Sequence, residues 1–146
     1  MLNNKWLVLA GSTFIFLAGL CAGSLLQSGI AHAQASKHVF ELRTYTAPEG
    51  KLGELHARFR DHTIRIFNKH DMTSVGYWIP QDAPLSQNTL VYVLAHPSRE
   101  DAKKNWAAFQ ADPEWVKAKA ESEKDGKIVE KAESVFMDPT DFSQIK

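Results

Sequence analysis

The sequence has little cysteine: Cys21 is the only one, and it lies in an apolar run near the N-terminus. Residues 34–146 contain none, which excludes a disulfide framework, a thiolate metal site and a cysteine nucleophile in that part of the chain. A G-x-S-x-G serine signature and a glycine-rich phosphate loop are also missing. The sequence therefore gives no sign of the enzyme classes that are recognised by short motifs of this kind.

Charge of one sign is not in excess, because 17 basic residues balance 17 acidic residues. Lys5 is the only charged residue among the first 33 residues. Residues 34–146 are therefore close to neutral as well. Proteins that bind nucleic acid by electrostatics carry a basic surplus. Nucleic acid is therefore not an expected partner.

The histidines also lack the spacing that is typical of a metal site. No two histidines lie four residues apart on a predicted helix, and His62 and His70 are separated by about 12 Å along one. That separation is too large for one ion. Haem would need an axial ligand, and no motif indicates one. We expect no metal and no cofactor.

Residues 1–33 have the pattern of an export signal. Lys5 provides a positive start, residues 6–26 are apolar, and Ala31-His32-Ala33 fits the small-x-small motif of signal peptidase. The apolar run of 21 residues is also long enough to span a bilayer, so an uncleaved N-terminal anchor remains an alternative.

The predicted division is a signal peptide over 1–33, with cleavage before Gln34, and one folded domain over 34–146. Leu20 precedes Cys21, whereas a lipoprotein signal has a small residue there, so lipidation is not expected. The domain is predicted to be periplasmic or secreted, or anchored to the inner membrane of a bacterium. Residues 6–26 are the only expected membrane contact.

The folded part alternates strand and helix patterns. The order is strand, helix, strand, strand, helix, strand, and the second helix restarts at Asp112-Pro113. This order predicts an α+β, ferredoxin-like βαββαβ fold with a four-stranded antiparallel sheet and both helices on one face. The strands carry apolar residues on both faces, so the uncovered face predicts a homodimer in which two sheets pack together.

Six segments resemble the NIPSNAP family in order and spacing. They are ELRTY in the first strand, FRDHT in the first helix, GYW in the second strand, the turn Ala95-His96-Pro97-Ser98, DPEW before the last helix, and Val135-Phe136-Met137. The resemblance covers about residues 38–142. It implies a dimeric α/β-barrel fold and no settled activity. The animal relatives act in mitochondria through protein interactions, and the export signal sets this chain apart from them.

His62 is the candidate catalytic residue. An α-helical spacing places it with Leu55, Phe59 and Ile66 on the apolar face, aimed at the sheet. Histidine side chains in general can gain and lose a proton close to neutral pH, so this residue type is suited to act as a general base. The alternative is a core histidine that is hydrogen-bonded to Asp61, to Arg43 or to the sheet.

Other candidates would bind ligand. Arg43 is suited to grip a carboxylate or phosphate and Tyr45 to donate a hydrogen bond, unless Arg43 is simply paired with Glu41. Aromatic residues and one histidine complete the predicted set: Tyr77, Trp78, His96 and Trp106. Aromatic residues at these spacings are also typical of a plain core.

Two functions remain open. The first is a homodimer that binds a small apolar or aromatic ligand, or a protein partner. The second is a cofactor-independent enzyme, resembling the oxygenases and isomerases of the dimeric α/β-barrel superfamily, with His62 as base. The second requires His62, Arg43 and Tyr45 to converge on one cavity.

Overall fold

A computed structural model describes residues 38–146. The predicted signal or anchor segment, including Cys21 and the cleavage site before Gln34, lies outside the described residues. Within 38–146, no helix combines the length and the apolar character needed to cross a bilayer.

Strands and helices follow in the order β1, α1, β2, β3, α2, α3, β4 along residues 38–146. Their bounds are Val39–Thr46 for β1, 52–69 for α1, Thr73–Trp78 for β2, Thr89–His96 for β3, Arg99–Ala111 for α2, Pro113–Ser122 for α3 and Lys131–Met137 for β4. Asp112 divides α2 from α3, because its carboxylate caps α3 by accepting from the Glu114 backbone N–H at 2.8 Å. The predicted restart at this position is confirmed.

The four strands form one sheet in the order β2-β3-β1-β4, and every neighbouring pair is antiparallel. This is the predicted ferredoxin-like α+β topology. The central strands β1 and β3 pair along their whole length, from Val39 opposite His96 to Thr46 opposite Thr89.

The core lies between the helices and one face of the sheet. Tyr92 of β3 is its centre, with ring centroids 5.2 Å from Phe59 and 6.0 Å from Phe67. Phe67 in turn lies 4.8 Å from Phe109 of α2. Aromatic rings from α1, α2 and β3 therefore join the helical layer to the sheet.

Helix α1 changes its winding in the middle. Leu52–Arg58 and Ile64–Lys69 are α-helical, whereas Phe59–Thr63 is π-helical. The wider π turn holds one more residue than an α-helical turn, so it shifts the inward face by one position. Thr63 is buried as a result, and its Oγ1 donates to the Arg58 carbonyl oxygen at 3.2 Å.

The second face of the sheet, which we call the open face, carries apolar side chains without a helical cover. Register places Leu42 opposite both Val93 and Val135 on this face. Trp78 and Val135 are 52% and 55% exposed. Residues 139–145 lie against one end of this face, beside Phe40, which is buried.

A bulge in β2 allows Trp78 to fold back over Gly76. The pairing of β2 with β3 shifts between Ser74 and Gly76. A Cβ atom at position 76 would lie 2.7 Å from Cζ2 and Cη2 of the Trp78 ring. Glycine at this position thus makes room for the indole.

Candidate ligand-binding cleft

Glu41 anchors the helix-facing side of β1. It is buried, and its Oε1 accepts from Arg43 Nη1 at 2.9 Å and from Ser134 Oγ at 2.7 Å. Its Oε2 accepts from Trp106 Nε1 at 2.7 Å and from His96 Nε2 at 3.1 Å. Burial alone would raise the pKa of Glu41, but these hydrogen bonds and the charge of Arg43 outweigh burial and lower the pKa to about 2.

Arg43 is fixed by contacts on three sides. Beyond its bond to Glu41, its Nη2 donates to the Tyr45 hydroxyl at 3.2 Å, and its guanidinium lies 4.5 Å from the Trp106 ring centroid. Burial disfavours the charge, but interactions with Tyr45, Tyr92 and Glu41 outweigh burial and raise the pKa of Arg43 above its ordinary value. The cation is therefore permanent and held in one orientation.

A cleft of about 820 Å³ opens between this part of the sheet and helices α2 and α3. We call it the helix–sheet cleft. It is lined by residues from every layer of the fold: Arg43, Tyr45, Arg58, Trp106, Phe109, Gln110, Trp115, Val116, Lys119, Ala120, Glu123, Lys127, Val129 and Ala132. Its volume falls in the range of small-molecule sites, which is about 300–1,000 Å³.

The aromatic wall of the helix–sheet cleft is continuous. The ring centroids of Trp106 and Phe109 are 5.5 Å apart, and those of Phe109 and Trp115 are 4.4 Å apart. Arg58 lies beyond Trp115, with its guanidinium 5.1 Å from the ring centroid. The wall thus presents three rings in a row with an arginine next to each outer ring.

Arg58 is the second arginine of the cleft, and it is more deeply buried than Arg43. It is only 4% exposed, and its Nη1 donates to Glu123 Oε1 at 2.8 Å and to Ser122 Oγ at 3.4 Å. Its Nε is sealed from solvent without a hydrogen-bond partner. The pair with Glu123 ties α1 to the end of α3 at the edge of the cleft.

Comparison with known proteins identifies the family. The NIPSNAP family profile matches residues 40–144, which is most of the chain. The chain belongs to the NIPSNAP family. A comparison with curated proteins gives no significant match.

Solved structures of NIPSNAP proteins share the fold. A NIPSNAP family protein of unknown function from Agrobacterium tumefaciens is 28% identical, with a TM-score of 0.66 over 77% of this chain and 96% of that chain. A second Agrobacterium NIPSNAP protein is 23% identical, with a TM-score of 0.65 over 75% and 99%. An uncharacterised NIPSNAP-like protein from Burkholderia xenovorans is 21% identical, with a TM-score of 0.64 over 74% and 90%.

The structure of this NIPSNAP domain brings some predicted site residues together. Arg43, Tyr45 and Trp106 all line the helix–sheet cleft. The expected ion pair of Arg43 with Glu41 is present as well, so Arg43 has a structural partner and still forms part of the cleft wall. The two interpretations of Arg43 are thus compatible.

Three predicted ligand-binding residues lie elsewhere. His96 is fully buried against Glu41, behind Arg43, because it ends the β3 strand that pairs with β1. Tyr77 packs in the core against Tyr92, and its hydroxyl is 2.6 Å from Ser74 Oγ. Trp78 lies on the open face. None of the three lines the helix–sheet cleft: His96 and Tyr77 face the helical layer but pack in the core, and the β2 bulge leaves Trp78 on the open face. Their role in ligand binding stays a prediction.

The convergence of His62 with Arg43 and Tyr45 on one cavity, which the enzyme alternative requires, is not found. His62 is half-buried in a separate groove between α1 and α3, which it lines with acidic neighbours that include Glu54, Asp61 and Glu121. The reason is the π-helical turn, which directs Thr63 toward the sheet in place of His62.

Sequence reasoning missed several cleft residues, chiefly Arg58, Lys119 and Lys127. Arg58 gave a usable signal: it lies three residues after Leu55 and next to Phe59, so it interrupts the apolar stripe with a charge. The two lysines gave none, since lysines on surface helices and loops are common. Among residues 38–146, no cluster of three or more His, Cys, Asp or Glu side chains is placed to hold a metal ion.

Proposed function

We propose that this NIPSNAP protein binds a small aromatic or apolar ligand in the helix–sheet cleft. The observation that supports the proposal is the row of rings formed by Trp106, Phe109 and Trp115 along a cleft of about 820 Å³. A planar ligand would stack on this wall and remove apolar surface from water. The hydrogen bonds of Glu41 fix Trp106 and Arg43 before any ligand arrives, which lowers the ordering cost of binding.

Binding is favoured over catalysis because His62, the predicted general base, does not line the helix–sheet cleft. His62 lines the groove between α1 and α3, and Arg43 and Tyr45 line the cleft. Catalysis by His62 as an oxygenase-like or isomerase-like base stays a prediction, and a protein partner in place of a small ligand is the other open alternative.

We also propose that two copies pair through the open face. Leu42, Val93 and Val135 lie together there, and Trp78 adds a half-exposed indole. Exposed apolar patches of this kind mark interaction surfaces. A second copy would cover one sheet with the other and leave the helix–sheet cleft of each copy on the outside.

The proposed compartment is outside the cytoplasm. The support is the sequence of residues 1–33, with its positive start, its apolar run and its small-x-small motif. Intact-mass measurement of protein purified from the periplasm would show cleavage before Gln34. A mass that includes the first 33 residues would instead support the uncleaved anchor.

Calorimetric titration with neutral 2-naphthylmethanol tests the binding function. Trp115→Ala removes one ring of the wall and should weaken binding about tenfold. Trp78→Ala is the matched control, because it removes an indole from the open face and should leave the affinity unchanged. Equal effects of both substitutions on the affinity would contradict the proposal. Native mass spectrometry of the same sample would show any co-purified ligand.

A further inference from the structure

The helix–sheet cleft has a charge that its proposed role as an aromatic-binding site does not explain. Four cations line it, Arg43, Arg58, Lys119 and Lys127, against one anion, Glu123. The whole chain carries no net charge, so this surplus is local. Counting Glu41 behind Arg43 still leaves two more positive charges than negative ones around one cavity.

We propose that the ligand of the helix–sheet cleft is an aromatic carboxylate, whose ring lies on the tryptophan wall and whose carboxylate is bound by Arg58 and the lysines at the edge. This inference rests on the proposed binding function and specifies its ligand class. An exclusively apolar ligand would leave the cations of the cleft without added compensation, whereas an anion interacts favourably with them.

Arg58 is the strongest support for an anionic group. An arginine that is 96% buried is costly unless carboxylates or other acceptors surround its guanidinium. In this structure only its Nη1 donates hydrogen bonds within residues 38–146, to Glu123 and Ser122. The planar fork of an arginine is suited to two parallel hydrogen bonds with one carboxylate, and the contact with Glu123 uses a single nitrogen.

The two lysines of the cleft carry positive charges that are not already neutralised, and these charges would attract an anionic ligand. Neither Lys119 nor Lys127 forms an ion pair within the part of the chain that the structure describes, although the neighbouring Lys117 pairs with Glu121 at 3.9 Å. Lys119 lies on α3 one turn beyond Trp115, so a charged group on a ring at Trp115 would be close to its ammonium.

The contact geometry favours a flat ring that carries the charge itself. Each arginine of the cleft lies over a tryptophan, Arg43 over Trp106 at 4.5 Å and Arg58 over Trp115 at 5.1 Å. A ligand ring that packs against the rest of the aromatic wall therefore lies close to a guanidinium at either end. A carboxylate attached directly to the ring would reach a guanidinium without a spacer.

Three probes with the same ring test the inference in calorimetric titrations: 2-naphthoate, 2-naphthylmethanol and 2-naphthylmethylammonium. We expect 2-naphthoate to bind at least about tenfold more tightly than the alcohol, and the ammonium to bind most weakly. Raising the salt concentration from about 50 mM to about 500 mM should weaken only the binding of 2-naphthoate. Equal affinities for 2-naphthoate and the alcohol would overturn the carboxylate and leave the binding function intact. No binding of any probe would overturn both.

A fourth probe, 2-naphthyl phosphate, separates carboxylate from phosphate recognition. We expect it to bind no more tightly than 2-naphthoate, and clearly tighter binding would overturn the carboxylate assignment. Lys119→Gln should weaken 2-naphthoate about two- to fivefold and leave 2-naphthylmethanol unchanged. Lys117→Gln is the matched control, an exposed lysine on the same helix outside the cleft, and should change neither. Equal effects of the two substitutions would overturn the role of Lys119.

Discussion

The indole Nε1 of Trp106 donates to Oε2 of Glu41 at 2.7 Å and thereby joins α2 to the central strand β1 at the back of the helix–sheet cleft. The same carboxylate holds Arg43 through its other oxygen. One buried acid thus orients both the aromatic wall and one of the cations of the cleft. Stability and ligand binding therefore depend on the same residue.

Glu41→Gln should destabilise the fold by about 3 kcal/mol. The substitution keeps the shape of the side chain but removes the negative charge, and it leaves the donors of Arg43, Ser134, Trp106 and the buried His96 facing an amide. Urea denaturation at neutral pH would measure the loss. Glu133→Gln is the control, an exposed glutamate on β4 paired with Lys131, and we expect little change from it.

The effect of Glu41→Gln should disappear in acid. The pKa of Glu41 is about 2 in the folded chain, below the ordinary value of 4.5 expected when the chain is unfolded. Glu41 therefore stabilises the fold fully above about pH 4.5, and this contribution is lost as the pH falls toward 2. The difference in unfolding free energy between the unmodified chain and Glu41→Gln should shrink from about pH 6 to about pH 2.5. A constant difference would contradict the lowered pKa.

His62→Gln should leave the affinity for 2-naphthoate within about twofold of the unmodified value. The imidazole lines the groove between α1 and α3, outside the helix–sheet cleft. Arg43→Lys is the companion variant. It keeps the charge but loses the fork that bonds Glu41 and Tyr45 together, and we expect about tenfold weaker binding. A loss of binding in His62→Gln as large as that in Arg43→Lys would contradict the location of the site.

These residues show how far the sequence predicts the site. The alternation of Glu41, Arg43 and Tyr45 on one face of β1 follows from the two-residue period of a strand, and the register with β3 confirms it. The placement of His62 failed because the α-helical period was extended through Phe59–Thr63, where the helix is π-wound. A local change of helix winding depends on tertiary packing. No residue pattern in Phe59–Thr63 predicts this change.

The cations of the cleft could not be predicted from the sequence for a different reason. Arg58, Lys119 and Lys127 come from three separate segments of the chain, and only the tertiary fold brings them around one space. Strand order and helix layer were predictable, because each element carries its own periodic pattern. No local sequence pattern shows that charged residues far apart in the chain come close together in the fold.

Gly76→Ala should destabilise the fold by about 1 kcal/mol, and Trp78→Ala should remove that cost. The added Cβ would lie 2.7 Å from the indole of Trp78, which must then swing away from the sheet. A double-mutant cycle by urea denaturation, at one protein concentration, would measure the coupling. An equal cost of Gly76→Ala in both backgrounds would show that the backbone at the bulge, and not the indole, requires glycine.

Val135→Glu should convert the proposed dimer to monomers. Val135 is 55% exposed in the single chain, on the edge strand β4 next to Leu42 of the open face, so a second sheet would bury a carboxylate there without a partner. Light scattering coupled to size-exclusion chromatography would give both masses. Val116→Glu is the matched control, because Val116 is also 55% exposed but lies on α3 in the helical layer, and this variant should keep the dimer mass. A monomer mass for the unmodified protein, or dissociation by both substitutions alike, would contradict pairing through the open face.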